Sequence, residues 1–234
     1  MIESARKYLL TDHEVEYLLW TDCESDYGCT KFDAEDVGMP WATLMRYHLF
    51  LQQEEYLKKF DYLYYIDVDM LFVAPVGDEI LSGLVATQHP GYAFAPPAPD
   101  PERESPFFLP FERNPQSRAF IPSPRYYFAG GFQGGETAKY LEAMWACRRA
   151  IDADFEINYI AMWHDESHWN RYLIDHPPTK ILDPSYCYPD SLVDGFYKKV
   201  WRQDYEPKLK CLTKGFQTTA AGGEAIKKML KSLE

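Results

Sequence analysis

An α/β fold is predicted by three features of the sequence. Residues 41–60 carry apolar side chains at helical spacing, with Leu44, Tyr47, His48, Leu51, Tyr56 and Leu57 on one face. An apolar run rich in Tyr and Ile, residues 62–68, follows at once and reads as a buried strand. Residues 137–153 and 159–174 then read as two more helices, the second ending before Pro177-Pro178. Helix followed by buried strand is the alternation that builds a sheet flanked by helices.

The remaining elements follow in chain order. Residues 3–10 read as the end of an amphipathic helix, and residues 15–21 as a strand closed by Asp22. Residues 22–40 are loop-like, with Gly28, Gly38 and Pro40. Residues 90–125 hold Pro96, Pro97, Pro99, Pro101, Pro106, Pro110, Pro115, Pro122 and Pro124, a density that excludes regular helix or central strand. Residues 126–128 predict a short strand running into Ala129-Gly130-Gly131-Phe132-Gln133-Gly134-Gly135. That stretch reads as a turn before a helix, whose missing side chains leave room for a bulky ligand group near the backbone. It is no phosphate loop, because Gly-x-Gly-x-x-Gly does not occur and no Lys-Ser/Thr follows. Toward the C-terminus stand Lys198, Lys199, Arg202, Lys208, Lys210 and Lys214, then a helix-like basic tail.

The chain's 234 residues suffice for one large domain or two small ones, and a content of 46% apolar residues supports a substantial core. The net charge of −12 argues against nucleic-acid binding, which rests on basic residues neutralising phosphate. Five scattered cysteines, an odd number without a CxxC pair, argue against a disulfide framework or structural zinc and fit a reducing compartment. No transmembrane segment and no signal peptide is predicted, so the expected location is cytoplasmic.

Asp67-Val68-Asp69 closes the apolar run 62–68. On a strand, residues i and i+2 share a face, which would aim both carboxylates at one point. Hard oxygen donors suit Mn²⁺ or Mg²⁺, which in turn hold phosphates. A competing reading, the aspartyl-phosphate pattern Asp-x-Asp-Gly-Thr, is weakened by Met70-Leu71 where Gly-Thr belongs. His164-Asp165-Glu166-Ser167-His168 lies between Trp163 and Trp169. Its two histidines are one helical turn apart, yet Asp165 stands where a zinc-protease helix needs Glu. The block reads either as a solvated helix face or as a sugar site, with aromatic walls beside carboxylates. His89-Pro90-Gly91-Tyr92 places a histidine at a turn near the surface.

In this order the pieces resemble the family 6 glycosyltransferases, the family of the histo-blood-group A and B transferases and soluble bacterial relatives. The resemblance rests on Trp20-Thr21-Asp22, Thr43-Leu44-Met45-Arg46, Tyr64-Tyr65-Ile66-Asp67-Val68-Asp69, His89-Pro90-Gly91-Tyr92, Phe111-Glu112-Arg113, Tyr126-Tyr127-Phe128-Ala129-Gly130-Gly131 and Trp163-His164-Asp165-Glu166-Ser167. It implies a GT-A fold with a single Rossmann-like mixed sheet, one domain over 1–234, residues 1–72 holding nucleotide and metal and 73–234 donor sugar and acceptor. The implied reaction is retaining α1,3 transfer of GalNAc or Gal from a UDP-sugar to a galactose-terminated, possibly fucosylated, glycan. The resemblance assigns Asp67 and Asp69 to Mn²⁺ (Mg²⁺ as the alternative). Arg46, Asp67, Ala129, Gly130, Gly131, Asp165 and Lys214 fall to the donor, and His89, Trp163 and Asp190 to the acceptor. Glu166 lies at the anomeric carbon, as nucleophile or as electrostatic partner. Gly131 leaves space for an N-acetyl group, so UDP-GalNAc is the expected donor. Bacterial relatives with Asn-x-Asn work without metal, whereas this chain has Asp-x-Asp. The family's first strand, whose loop cradles uracil, is expected to be missing before Ser4. That absence leaves a second reading open, a catalytically impaired glycan- or nucleotide-binding relative.

Overall fold

The structure is a computed structural model that describes residues 1–92, 110–122, 126–189 and 205–212. Helix α1 spans Ile2–Tyr8, and strands β1 (Leu18–Thr21) and β2 (Thr30–Asp33) follow. Three short helices come next, α2 (Trp41–Leu44), α3 (Arg46–Leu51) and α4 (Glu54–Leu57), then β3 (Tyr62–Ile66), β4 (Met70–Phe72) and β5 (Leu84–Gln88). The second half holds β6 (Phe128–Glu136), α5 (Thr137–Glu156), α6 (His164–Asp175), β7 (Lys180–Leu182), β8 (Tyr188–Pro189) and β9 (Leu209–Cys211).

Mixed α/β architecture is as expected, but the strands fall into three sheets among the described residues. The central sheet has the order β3-β6-β5-β7, with β6 antiparallel to both neighbours and β7 parallel to β5. β1 and β2 pair in parallel, and β9 joins β4 to β8. The chain leaves the central sheet where β3 ends at Ile66, and turns through Asp67-Val68-Asp69 onto β9. Two apolar clusters cover the central sheet. Trp41, Leu44, Tyr47, Leu63, Leu84, Ala86, Met144 and Trp169 belong to one. Leu9, Met70, Phe72, Val85, Phe132, Leu182 and Leu209 belong to the other. Leu84 and Ala86 lie in the first and Val85 in the second, as alternation along β5 requires.

Several elements differ from the sequence expectation. The helix expected at 41–60 is broken near Met45 and Gln53, yet Trp41, Leu44, Tyr47, Leu51 and Leu57 still pack into one core. Tertiary packing of the apolar face, not continuous helical bonding, sets its course. The loop expected over 22–40 contains β2. The helix expected from residue 159 begins at His164, because the buried Glu112 carboxylate accepts from Met162 N at 2.8 Å and Tyr159 Oη at 2.9 Å. Of the Pro-rich region, residues 90–92 and 110–122 are described, the latter tied by Glu112 and by Asp154, which accepts from Ser117 Oγ and Arg118 N at 2.6 Å.

The glycine-rich turn is overturned as well. Residues 129–135 form the interior of β6, which has β3 on one side and β5 on the other. Glycine is needed there because both neighbours crowd the backbone. A Cβ on Gly134 would lie 2.2 Å from Leu63 O, and one on Gly135, at φ +143°, 2.3 Å from Gly83 O. The register with β5 jumps from Ala86↔Gln133 to Thr87↔Ala129, so Gly130-Gly131-Phe132 bulge from the ladder. Thr87 Oγ1 braces the bulge by donating to Phe132 O at 3.0 Å.

The outer edges of β1 and β3 face a common space. Tyr17 O and Thr21 O accept from β2-side amides, so Leu18 and Trp20 turn their backbone groups the other way. On β3, the bonds Asp67 N to Gly131 O and Thr137 N to Asp61 O leave Tyr62, Tyr64 and Ile66 turned outward. Neither edge has a strand partner among the described residues, and both strands line a cavity of about 1370 Å³.

Gly134→Ala is expected to destabilise the protein by roughly 3 kcal/mol, the upper range for overpacking, because backbone rather than a flexible side chain must yield. Urea unfolding measures it, and a loss under 1 kcal/mol would show that β3 and β6 separate freely.

Candidate active site

The β6 bulge, the turn after β3, the start of α3 and the start of α6 meet at one place. Arg46, at the first position of α3, is buried with 6% of its surface exposed. Its Nε lies 3.2 Å from Asp165 Oδ2 and its Nη2 3.7 Å from Asp67 Oδ1. Its Nη1 donates to Gly130 O at 3.2 Å, and the guanidinium sits 4.1 Å from the Tyr65 ring centroid. The Tyr65 hydroxyl in turn donates to Asp67 Oδ1. Gln133 Nε2 donates to Gly130 O as well, at 2.9 Å, so the bulge is held from two sides.

Asp165 and Glu166 occupy the first turn of α6, where the helix dipole favours negative charge. The solvated-face reading of this block is therefore wrong: Asp165, Ser167 and His168 are each 2% exposed. Burial raises the Asp165 carboxyl to about 7 even though Arg46 acts against it. Burial also works to lower the Arg46 pKa, but Asp165, Tyr65 and Asp67 outweigh it and hold the guanidinium charged. The pair touches as charges without a directed hydrogen bond: Arg46 Nε and Asp165 Oδ2 are buried with no hydrogen-bond partner. Unsatisfied buried atoms of this kind are rare and mark a place where a further polar group fits.

Glu166 is held through both oxygens. Tyr127 Oη donates to Oε1 at 2.5 Å, and Gly130 N to Oε2 at 2.7 Å. Burial raises its pKa, and these two donors oppose the rise. A Cβ on Gly130 would lie 3.3 Å from Glu166 Cβ, so this glycine also makes room for the carboxylate. Gly131 faces the opposite way. A Cβ there would meet Met70 Cε at 2.7 Å and Asp67 Oδ2 at 2.8 Å. Ala129 is 2% exposed and packs in the second apolar cluster.

His89 reaches this centre through Tyr127, whose ring it meets edge-on at 5.7 Å. Loss of surrounding water lowers the imidazole to about 4. Gly91 N donates to its Nδ1 at 3.0 Å, so the neutral ring carries its proton on Nε2. Trp163 precedes α6, and its buried Nε1 donor has no partner. Asp190 and Lys214 lie outside the described residues.

The two carboxylates of Asp67-Val68-Asp69 do not share a strand face. Their segment is a turn closed by Met70 N donating to Asp67 O at 3.1 Å, with Val68 73% exposed at its tip. Leu212 N donates to Asp69 O at 2.9 Å and fixes the exit of the turn. Asp67, Val68 and Asp69 all line the large cavity. No group of three or more metal-binding side chains occurs among the described residues. The donor set is thus two carboxylates, and a hard cation held by one or two carboxylates completes its shell with water and phosphate.

The sequence model of glycosyltransferase family 6 matches residues 1–202. The chain belongs to glycosyltransferase family 6. Relatives in this family include Histo-blood group ABO system transferase 1 of Rattus norvegicus, 34% identical over 209 residues, covering 82% of this chain and 57% of that protein. Globoside alpha-1,3-N-acetylgalactosaminyltransferase 1 of Homo sapiens is 38% identical over 206 residues, covering 81% and 56%. The O-antigen biosynthesis glycosyltransferase WbnI of Escherichia coli is 25% identical over 200 residues, covering 82% and 81%. The chain spans little more than half the length of the mammalian relatives it matches.

In this family 6 chain Arg46, Asp67, Gly130, Gly131, Asp165 and Glu166 form one connected cluster. Sequence reasoning missed Tyr65, Tyr127 and Gln133, which orient those residues. The tyrosines lie in apolar runs and read as core; their hydroxyls were the available signal.

Replacing Arg46 by Met leaves Asp165 buried without its counterion. The expected loss is about 3 kcal/mol at pH 8, where Asp165 is ionised. The loss is expected to shrink at pH 5, below the raised pKa, where Asp165 already carries a proton. Equal losses in urea unfolding at both pH values would assign the effect to packing instead.

Proposed function

We propose that this chain is a retaining, metal-dependent glycosyltransferase that moves GalNAc, or Gal, from a UDP-sugar in α1,3 linkage to a galactose-terminated glycan, with or without fucose. The observation that carries the reading is Glu166, a carboxylate held through both oxygens at a helix start, beside Asp165 with an unpartnered oxygen. A carboxylate against an oxocarbenium-like centre stabilises it or traps it covalently, as in retaining glycosidases. Asp165 Oδ2 accepts from a donor-sugar hydroxyl. Trp163 Nε1 and His89 Nε2 supply donors toward the acceptor. Arg46 keeps the carboxylates from repelling one another and the donor's own negative charge.

Asp67 and Asp69 would hold the divalent cation, for which Mn²⁺ is our assignment and Mg²⁺ the alternative. Bound there, the ion supplies charge neutralisation for a departing diphosphate. The large cavity beside Asp67 and Asp69 is the space available to the nucleotide. Among the relatives named above, the human protein is named as an N-acetylgalactosaminyltransferase, and UDP-GalNAc is the donor we favour. Five free thiols fit a reducing, cytoplasmic setting, and no helix among the described residues is long and apolar enough to cross a membrane.

The outer edges of β1 and β3, without a strand partner among the described residues, favour one second reading, a relative that binds nucleotide or glycan without turnover. UDP-sugar hydrolysis with Mn²⁺ separates the two: its absence, at intact nucleotide binding, supports the second.

Excess EDTA is expected to lower transfer at least about a hundredfold, as loss of several kcal/mol of charge stabilisation requires, with Mn²⁺ restoring it. Undiminished transfer in EDTA overturns the metal assignment. Gly131→Ala is expected to reduce the GalNAc:Gal ratio of kcat/KM. Because the added methyl presses on Asp67, the rate with both donors should also fall. An unchanged ratio removes Gly131 from donor choice.

A further inference from the structure

Glutamate at the first turn of a helix has three side-chain torsions to fix before its carboxylate can serve one reacting atom. The Gly130 amide alone leaves rotation about that bond free. A second donor on the other oxygen fixes the carboxylate plane, and that donor is the Tyr127 hydroxyl. Tyr127 is itself held rigidly. Its ring is 2% exposed and meets His89, Tyr92 and Phe111 edge-on at 5.7, 5.3 and 5.2 Å. Its carbonyl accepts from His89 N at 3.0 Å. Burial and the neighbouring Glu166 raise the phenol's pKa, so it remains a donor across the working range.

We propose that Tyr127 is the positioning residue for Glu166, setting the orientation of its carboxylate and tying it to the histidine side of the site. The assignment rests on the reading of Glu166 given above. Aromatic rings at this place do two things. They exclude water from the Glu166 bond, and they join the wall carrying His89 to the carboxylate, so that displacement of one moves the other. Phenylalanine would serve the packing alone equally well; only the hydroxyl serves Glu166. The remaining ionisable neighbours of Glu166 do not replace it. Arg46 acts from α3, Asp67 from the turn, Asp165 from the same helix, and the Cys187 thiol from the segment before β8. None of these donates a hydrogen bond to its oxygens.

A four-protein cycle tests the role: wild type, Tyr127→Phe, Glu166→Ala and the double variant, assayed with UDP-sugar, Mn²⁺ and a galactoside. Tyr127→Phe is expected to lower kcat about ten- to a hundredfold, the worth of a hydrogen bond to a charged group, with donor KM within about threefold. On the Glu166→Ala background the same substitution is expected to change kcat less than about twofold, because its target is gone. A Tyr127→Phe enzyme with kcat within twofold of wild type overturns the proposal, as does a loss that multiplies in full on Glu166→Ala. If Glu166→Ala itself keeps wild-type kcat, the reading of Glu166 fails instead, which is a separate result. Melting the four proteins gives an answer independent of turnover. Tyr127→Phe should lower Tm by roughly 2–4 °C on the wild-type background and not on Glu166→Ala. Equal shifts on both backgrounds, or a Tyr127→Phe chain that does not fold, assign the hydroxyl a general structural role and overturn the proposal.

Discussion

Arg46 is a permanent cation set where water scarcely reaches it, and four separate parts of the chain are shaped around it. Taking a guanidinium out of water costs several kcal/mol, and only good partners on every side offset that. Here the partners are Asp165 from α6, Asp67 from the turn after β3, the Gly130 carbonyl from the β6 bulge and the face of Tyr65. Asp165, 2% exposed, has its countercharge in Arg46, and the bulged carbonyl of Gly130 accepts from both Arg46 and Gln133 Nε2. The guanidinium therefore fixes the spacing between the Asp67 and Asp165 carboxylates.

A second constraint acts one layer out. Glu112 and Asp154 gather the irregular segments that frame α6. By capturing Met162 N, Glu112 takes an amide from the stretch just before the helix and leaves α6 to begin at His164. One turn earlier and Asp165 and Glu166 would sit in mid-helix, away from the dipole's positive end. Glu79 plays a similar part on the far side, where Lys208 and Tyr186 Oη both donate to it and bring β9 against the turn's exit.

Much of this was legible in the sequence, and the failures share a cause. Apolar periodicity located α5 and β3 closely because their signals are local and strong. It misplaced the break points within 41–60 and the start of α6, where partners far along the chain decide the geometry. Residues 129–135 read as a turn because glycine is a poor strand former in isolation. What makes it necessary in β6 is the closeness of β3 and β5, which no local window contains. The carboxylates and Arg46 were named from motif and resemblance; the turn that carries Asp67 and Asp69 was not, since alternation along a strand was extended two residues too far. Tyr65 and Tyr127 escaped notice because a tyrosine in an apolar run gives no sign of what its hydroxyl meets.

The bulge in β6 ties chemistry to completion of the fold. Gly130 reaches Arg46 across 84 residues and Glu166 across 36. Loop closure over such separations comes late, once local helices and hairpins have formed. A nascent or partly folded chain can therefore display every acidic residue of this cluster and still lack their folded arrangement.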